Sequence, residues 1–521
     1  MKLYQLLISL PLSLILISAC SHQPLVQDQK PIEPSVASPV VPVLDQWQSE
    51  PLVADDNTDL WQRIINAYGF NQNIDNPRVR SHLNYYKKHQ AYMDRMATRA
   101  ERYMYYIAEQ IDVRGIPGEL ALLPIVESAF DPFAYSHGRA SGVWQFIPST
   151  GRDFGLTQDW WHDGRRNISA STIAALSYLE ALQREFKGDW LLALASYNTG
   201  AGNVRKAIRK NKRLGKPTDF WSLSLPRETR DYVPKLIALA QLIKYPEKHG
   251  ITLKPLANVP YFASVDTGGQ IDLSQLAEIS QTPLDEIYKL NPGFNRWATN
   301  PEGPHKVLIP IDKKQIYLEN IASLPENQRM KWQRYKVKEG DSLIIIAKKF
   351  HTTPDALKDA NDLSKNMIRI GEQLLIPSAH KSLDSYSYSA GSRLAKIQNS
   401  SKRSKNRDKI EYEVKGGDSF WEIARDHKVG IRELAKWNGM APGDMLKQGQ
   451  KLVIWGEKKL RKNREVIRKL TYTVRNGDSL ARIADKFRVR VQDLIRWNRK
   501  ESKSKYLQPG QRLKLYVDVT N

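Results

Sequence analysis

Apolar residues follow two different patterns, one before about residue 250 and one after it. Between Leu60 and Ile243 they recur at steps of three and four, which is the spacing of one helical face. No convincing strand-like alternation precedes Ile251. The pattern therefore predicts an all-helical first region, followed by smaller units that contain strands.

Three copies of one unit occupy most of the chain after residue 330. Each copy carries Gly-Asp-Ser behind a short strand-like segment, beginning at Gly340, Gly417 and Gly477. In every copy an Asn follows the Asp by twenty positions, and a Gly-x-x-Leu segment closes the unit. Since Asp or Ser before an apolar run is a typical helix N-cap, the repeat predicts a strand, two helices and a strand.

A degenerate fourth copy is predicted at 258–312. Leu273 and Asn291 are eighteen positions apart, which is the spacing of the matching residues in the other copies. Gln270-Ile271 replaces the Gly-Asp pair, however. We therefore expect this unit to pack against the helical region rather than to bind a ligand.

The N-terminus has the features of an exported protein. Lys2 precedes an apolar run from Leu6 to Ile17, which is too short to span a membrane and predicts a signal peptide at 1–19. Cys20 is the only cysteine, so no internal disulfide is possible. Residues 21–54 are rich in Pro, Val, Ser and Gln and predict a flexible tether.

The segment that ends in Ile17-Ser18-Ala19-Cys20 resembles a bacterial lipobox. The resemblance implies that Cys20 becomes the lipidated N-terminus, so that acyl chains anchor the protein. Ser21 after the cysteine implies the outer membrane, facing the periplasm. The alternative is an unused thiol inside an ordinary signal peptide.

The most informative stretch for chemistry is Gly118–Thr150. Glu127 lies there in an apolar helix candidate that Pro124 weakens or kinks. Burial among apolar neighbours would raise the pKa of Glu127 and make it a general acid near neutral pH, although a lone Glu in a helix is more often solvated or paired. The following residues, Gly142–Pro148, place aromatic side chains around Gln145 and predict a sugar-binding wall.

A second carboxylate for glycoside hydrolysis is not evident in the sequence. Asp131 precedes Pro132, where the chain is expected to leave the helix. Glu119 is two helical turns upstream, roughly 12 Å along the axis. A mechanism with one acid is therefore the natural hypothesis.

Four motifs occur in the order found in the goose-lysozyme-like lytic transglycosylases. They are Glu127-Ser128, Gly142-Val143-Trp144-Gln145, Ser196-Tyr197-Asn198-Thr199-Gly200 and Glu228-Thr229-Arg230-Asp231-Tyr232-Val233. The resemblance covers about residues 59–250 and implies a lysozyme-like fold that cleaves peptidoglycan without water, forming 1,6-anhydro-N-acetylmuramic acid. It implies Glu127 as acid and then base, and no cofactor. Val143 and Trp144 depart from the family's usual Leu or Ile and Met, which leaves subsite details open.

The same resemblance implies roles for five further residues. Ser128, Gln145, Tyr197, Asn198 and Tyr232 would form the substrate-binding set, and the Tyr232 hydroxyl would also position Glu127. For Asn198 the alternative is a helix C-cap, and for the two tyrosines it is core packing with a satisfied hydroxyl.

The three repeated units resemble LysM modules, which implies binding to N-acetylglucosamine polymers such as peptidoglycan. From Lys331 to Asn521 there are 43 basic and 22 acidic residues, so this part carries +21 of the chain's net charge of +23. Such a charge is also typical of nucleic-acid binding, but the export signal argues against that partner. We expect attraction to an anionic cell wall, with avidity from several weak modules.

The predicted fold is α+β and multidomain, with an all-α lysozyme-like catalytic domain followed by small βααβ LysM modules. The predicted segments are a signal peptide (1–19), a lipidated N-terminus and tether (20–54), the catalytic domain (55–250), the degenerate repeat (258–312), LysM modules (333–378, 410–455 and 470–517) and basic linkers (379–409 and 456–469). A hydrolysing muramidase and a non-catalytic cell-wall scaffold are the alternatives. No metal site is predicted, because His137, His162 and Asp163 lack a ligand spacing and the histidines are expected at the surface.

Overall fold

The structure, a computed structural model, describes residues 59–400, 407–457, 467–487, 489–499 and 507–518. The predicted signal peptide, Cys20 and the tether lie outside these residues. None of the helices in the described ranges is long and apolar enough to cross a membrane.

The first region is helical, and every strand named in the described residues follows it. Its α-helices are α1 (Leu60–Asn66), α2 (Pro77–Lys87), α3 (Gln90–Ala100), α4 (Met104–Arg114), α5 (Leu123–Ser128), α6 (Pro148–Asp153), α7 (Ile168–Glu185), α8 (Trp190–Thr199), α9 (Ala201–Arg213) and α10 (Arg227–Lys244). Side chains at several N-caps accept hydrogen bonds from the first-turn amides, as the sequence chemistry favours. These caps are Asp59, Asn76, Asn167 and Asp189.

Helix α10 is the main buried element of this region. Its C-terminal half is almost entirely buried from Leu236 to Ile243, and the helix packs on α2, α8 and α5. An apolar face on most sides suits a helix at the centre of a core. Because α10 contacts α5, the side chains on its N-terminal half reach the residues around Glu127.

The expected apolar helix around Glu127 is divided in two. A 3₁₀ turn spans Gly118–Leu122, and α5 starts afresh at Leu123 with Pro124 in its first turn, where proline costs no helical hydrogen bond. Helix α5 ends at Ser128; the next residue, Ala129, caps it with a left-handed φ of 50°, and the amide of Phe130 donates to the Pro124 carbonyl at 3.1 Å. Glu127 therefore lies in the last turn of a short helix.

Within the described ranges, four small units follow, each with two antiparallel strands and two helices between them. Their elements are β1 (Phe262–Asp266), α11 (Leu273–Ile279), α12 (Leu284–Leu290) and β2 (Lys306–Pro310), followed by α13 (Lys314–Ser323); β3 (Lys331–Lys336), α14 (Leu343–Phe350), α15 (Pro354–Asp359) and β4 (Gln373–Ser378), followed by α16 (Ala390–Ser400); β5 (Arg407–Glu413), α17 (Phe420–Asp426), α18 (Ile431–Trp437) and β6 (Lys451–Glu457); and β7 (Ile467–Thr473), α19 (Leu480–Lys486), α20 (Val491–Trp497) and β8 (Arg512–Asp518). The first unit is the degenerate copy.

The repeated Asn ties the second helix of each unit to its last strand. The side-chain amide of Asn438 donates to the carbonyls of Leu434 and Val453, both at 2.8 Å, and its oxygen accepts from the Val453 amide at 2.7 Å. The same three bonds are made by Asn291, Asn361 and Asn498. The fold itself therefore explains this Asn, in the degenerate copy as well.

The repeated Asp has a structural role of the same kind. Asp418 accepts from the Lys415 amide at 2.7 Å and from the Tyr412 hydroxyl at 2.8 Å, and both bonds hold its pKa below the usual range. Asp341 and Asp478 are bonded in the same way. The Gly-Asp-Ser motif thus shapes the turn before the first helix.

Part of the segment that the sequence predicts as a basic linker, 379–409, has defined tertiary contacts. Tyr386 is buried, and its hydroxyl donates to the buried carboxylate of Asp272 at 2.9 Å. The ring of Tyr388 stacks on Phe133 of the helical region, with 5.0 Å between ring centroids. Residues before α16 therefore join the degenerate unit to the helical region.

Candidate active site

Glu127 and Tyr232 meet where α5 contacts α10. The Tyr232 hydroxyl donates to Oε1 of Glu127 at 2.5 Å. Tyr232 is buried and Glu127 is only partly exposed. The carboxyl is therefore held in one orientation while it keeps some access to solvent.

The surroundings of Glu127 favour its protonated form. Burial raises its pKa from 4.5 to about 7, while the Tyr232 hydrogen bond and the Lys235 ammonium lower it and the Glu228 carboxylate raises it. Because burial outweighs the other effects, the carboxyl is protonated for much of the time at neutral pH. A carboxyl in this state is able to act as a general acid, and its conjugate base is able to act as a general base.

Two charged residues near Glu127 received no role from the sequence. Glu228 and Lys235 lie on α10, four residues before and three residues after Tyr232. Side chains at these spacings share one helix face. The spacing from Tyr232 is therefore the sequence feature from which a position near Glu127 could have been predicted for both residues. Glu228 is exposed, whereas Lys235 is half-buried.

The side chains of Ser128 and Tyr197 bond to the backbone of the turn at residues 142–145. The Ser128 hydroxyl lies 3.0 Å from the Val143 carbonyl and 3.1 Å from the Pro124 carbonyl. The Tyr197 hydroxyl donates to the Trp144 carbonyl at 2.8 Å. Both hydroxyls therefore contact backbone, and for Tyr197 this matches the alternative of core packing with a satisfied hydroxyl.

The turn itself requires unusual backbone at two positions. Gly142 has a φ of 83°, and a Cβ there would lie 2.2 Å from the Arg165 carbonyl oxygen, so only glycine fits. Gln145 has a φ of 52°, and its side-chain nitrogen donates to the Gly142 carbonyl at 2.7 Å. This bond uses the amide nitrogen of Gln145 and leaves its amide oxygen as the group that can accept from a ligand.

The predicted sugar-binding wall of aromatics around Gln145 is wrong. Trp144 is fully buried and donates through Nε1 to the Thr172 hydroxyl at 3.0 Å, and Phe146 is buried as well. Val143, Trp144 and Phe146 belong to the core of the helical region, whereas Ile147 is exposed.

Asn198 lies in the last turn of α8, next to Gly200 with a φ of 85°. It is half-buried, and no hydrogen bond joins its side-chain amide to the described part of the chain. The amide therefore remains available for a ligand, and its donors and acceptor suit an acetamido group or a sugar hydroxyl.

The two carboxylates nearest to Glu127 in the sequence, Glu119 and Asp131, serve local structure. Glu119 is buried and accepts from the amides of Gly69 at 2.9 Å and Phe70 at 2.8 Å. Asp131 accepts from the amide of Phe133 at 3.0 Å, which closes a turn after α5.

Within the described residues there is no group of three or more His, Cys, Asp or Glu side chains placed to hold a metal. Asp163 is paired with Arg165 and Arg166, each at 2.8 Å. His162 packs edge-on against Phe294 of the degenerate unit, and burial lowers its pKa to about 4. His162 is therefore half-buried where the degenerate unit meets the helical region, and the prediction of a surface position holds for His137 but not for His162.

Three family models match the chain over most of the described part. The Transglycosylase SLT domain matches residues 105–220, which include Glu127, Gln145 and Asn198. The LysM domain matches 335–377, 412–455 and 472–515. The LysM-like domain of lytic transglycosylase MltD matches 261–326, which contains the degenerate copy.

A full-length relative decides the family. Membrane-bound lytic murein transglycosylase D of Escherichia coli strain K12 is 35% identical over 415 residues, covering 77% of this chain and 88% of the relative. The chain belongs to the lytic murein transglycosylase D family. The resemblance seen in the four motifs and the α+β fold of a helical transglycosylase domain with LysM units are thereby confirmed, and this member of the family is a lytic murein transglycosylase.

More distant similarities cover shorter parts of this transglycosylase. Membrane-bound lytic murein transglycosylase F of Desulfosudis oleivorans is 34% identical over 134 residues, or 24% of this chain and 28% of the relative. A solved structure of the lytic transglycosylase Slt from Pseudomonas aeruginosa is 21% identical, covers 28% of this chain and 24% of that one, and has a TM-score of 0.21.

Proposed function

We propose that the enzyme cleaves the β-1,4 bond between N-acetylmuramic acid and N-acetylglucosamine without water, and that Glu127 is its single acid and base. The observation that carries the proposal is the position of the Glu127 carboxyl, which accepts from the Tyr232 hydroxyl at 2.5 Å in surroundings where burial raises its pKa to about 7. This pKa lets one group give and take a proton near neutral pH.

The reaction takes two steps. Glu127 gives its proton to the glycosidic oxygen as the bond from that oxygen to C1 of the muramic acid breaks. The 2-acetamido group of the substrate stabilises the positive charge that develops at C1, as in other substrate-assisted cases. The Glu127 carboxylate then takes the proton of the C6 hydroxyl while O6 bonds to C1, which closes the 1,6-anhydro ring and restores the acid.

The other site residues divide into two groups in this proposal. Gln145, through its amide oxygen, and Asn198, through its free amide, contact the sugar. Ser128 and Tyr197 act through the turn that carries Gln145, because their hydroxyls are bonded to its backbone. Tyr232 orients the acid.

A comparison of two amide variants tests the single acid. Glu127→Gln is expected to lower the release of soluble fragments from purified peptidoglycan by about 10²–10⁴-fold, the usual contribution of a general acid. Glu228→Gln is the matched control, since Glu228 is the other carboxylate whose charge reaches Glu127. It is expected to retain release.

The opposite outcomes have separate meanings. Native-level activity in Glu127→Gln would show that Glu127 is not the acid. Loss of activity in Glu228→Gln, with reducing ends among the native products, favours the hydrolase, with Glu228 as the second carboxylate. If the native chain binds peptidoglycan but releases nothing, the scaffold is favoured.

The LysM units are proposed to bind the glycan strands of peptidoglycan and so to keep the catalytic domain on its substrate. The net charge of +21 after residue 330 adds non-specific attraction to the anionic wall. This attraction weakens as salt is added, whereas sugar recognition persists. Sedimentation of the Glu127→Gln chain with purified peptidoglycan at low and high salt separates the two contributions.

The chain is proposed to be a lipoprotein of the outer membrane, anchored through Cys20 on the periplasmic face. The membrane-bound name of the 35% identical relative supports membrane association, and the lipobox-like sequence supports acylation. Cys20→Ala is expected to abolish incorporation of labelled palmitate and to move the protein out of the outer-membrane fraction. Unchanged fractionation would contradict the anchor.

A further inference from the structure

Among the described residues, Lys235 is the cation whose charge lowers the pKa of the proposed acid. It follows Tyr232 by three residues on α10, so the two side chains share a helix face. Its Nζ donates to the carbonyl of Val126, the residue before Glu127, at 3.2 Å. The ammonium of this half-buried lysine therefore connects α10 to the last turn of α5.

The position of Lys235 has an electrostatic cost. Burial lowers its pKa, and the nearby Glu127 carboxylate raises it again. A lysine placed there only for packing would be expected to extend its ammonium to water, as long charged side chains usually do. The bond to the Val126 carbonyl instead keeps the ammonium beside the acid.

The charged and titratable groups around this pair come from four helices. Glu127 is approached by Tyr232, Lys235 and Glu228 from α10 and by Tyr197 from α8. Lys235 is approached by Glu127 from α5 and by His82 from α2, which is itself close to Asp231 and Arg78. Lys235 is thus the group whose positive charge opposes both the burial of Glu127 and the Glu228 carboxylate.

We propose that Lys235 is a positioning residue for Glu127: it fixes the end of α5 through the Val126 carbonyl and stabilises the Glu127 carboxylate that exists between the two proton transfers. The inference rests on the proposed role of Glu127 as acid and base. Lys235 keeps its own proton throughout, so the bonds made and broken are those already described. Its charge matters in the interval when Glu127 is ionised and the ring has not yet closed.

Three substitutions at Lys235 separate its charge from its hydrogen bond. Lys235→Met removes both, Lys235→Gln keeps an amide donor without the charge, and Lys235→Arg keeps both. We measure kcat/KM against pH for soluble peptidoglycan fragments, together with kcat and KM at the optimum. The alkaline limb reports the pKa of the group that must be protonated, which is Glu127 in this account.

Removal of the cation is expected to move the alkaline limb to higher pH in both Lys235→Met and Lys235→Gln, because the carboxylate loses a stabilising charge. The rate at the optimum is expected to fall between about tenfold and a hundredfold, mostly in kcat, since the acid is less well placed. Lys235→Arg is expected to keep the native limb. Glu228→Gln serves as the opposite-sign control and is expected to move the limb slightly to lower pH.

The inference is overturned if both neutral variants keep the native limb, or if Lys235→Arg shifts it as far as they do. Failure of the proposed function is a separate result, because Glu127→Gln would then remain active whatever Lys235 does. Sedimentation with peptidoglycan and thermal unfolding check that each variant is folded. If Lys235→Met is not folded, Lys235→Gln and Lys235→Arg still decide the question.

Discussion

Replacing Glu127 by Gln is expected to stabilise the catalytic domain at alkaline pH while it removes most of the activity. The pKa of Glu127 is raised from 4.5 to about 7 in the folded state. Between these values the unfolded carboxyl is ionised and the folded one is protonated, so stability falls as pH rises through this window. Above about pH 7 the full penalty of about 3 kcal/mol is present, at 1.36 kcal/mol for each pH unit between the two pKa values.

The amide variant has no charge to bury. Its side-chain oxygen can still accept from the Tyr232 hydroxyl, so the main hydrogen bond is retained. We therefore expect Glu127→Gln to be more stable than the native chain by about 3 kcal/mol at pH 8. At pH 4 the Glu127 carboxyl is largely protonated in both the folded and the unfolded native chain, so the difference in stability between the native chain and Glu127→Gln should be small.

Hydrogen exchange of peptides from α7 and α10 measures this difference in the full chain. These buried helices report opening of the catalytic domain without interference from the LysM units. A gain of about 3 kcal/mol slows their exchange by roughly 150-fold at pH 8, relative to the native chain at the same pH. Glu247→Gln, at an exposed position of the same domain, is the control and should change nothing.

Two results would refute this reasoning. Exchange that is equally fast in the native and Glu127→Gln chains at pH 8 would mean that the carboxyl is not desolvated. An equal gain at pH 4 and pH 8 would mean that packing, and not ionisation, causes it.

Three further substitutions test other contacts. Tyr232→Phe removes the hydroxyl bonded to Glu127 and should raise the pKa of that carboxyl, moving the alkaline limb of kcat/KM to higher pH and lowering kcat at least about tenfold; an unchanged profile would show that the bond does not matter. Asn438→Ala removes three hydrogen bonds, two with Val453 of β6 and one with Leu434 of α18, and should destabilise that LysM unit by about 2–4 kcal/mol in limited proteolysis, with cleavage of soluble fragments retained; equal resistance to protease would contradict the assigned structural role. Tyr386→Phe takes the donor from buried Asp272 and should speed hydrogen exchange in residues 379–389 at least about fivefold, whereas native rates would show that this contact does not order the segment.

The sequence allowed much of the fold and the centre of the site to be predicted. Helical spacing up to Ile243 and the fixed interval from Asp to Asn reflect local geometry, which a sequence pattern records directly. The burial of Glu127 was also predictable, because its apolar neighbours are next to it in the chain.

What the sequence could not supply are contacts between distant residues. Tyr386 meets Asp272 across 114 positions, and nothing in a segment rich in Ser and Lys indicates that pairing. Lys235 resembles an ordinary solvated lysine until α10 is placed against α5. The prediction of an aromatic wall around Gln145 was wrong because the burial of Trp144 depends on the helices packed behind it. One of them is α7, whose Thr172 hydroxyl accepts from the Trp144 side chain.

Mass spectrometry of the products from purified peptidoglycan tests the central claim most directly. The native chain is expected to yield fragments that end in 1,6-anhydro-N-acetylmuramic acid, and Glu127→Gln is expected to yield none. Native products with reducing N-acetylmuramic acid ends, heavier by one water, would show that the enzyme is a hydrolase and contradict a single group acting as acid and base.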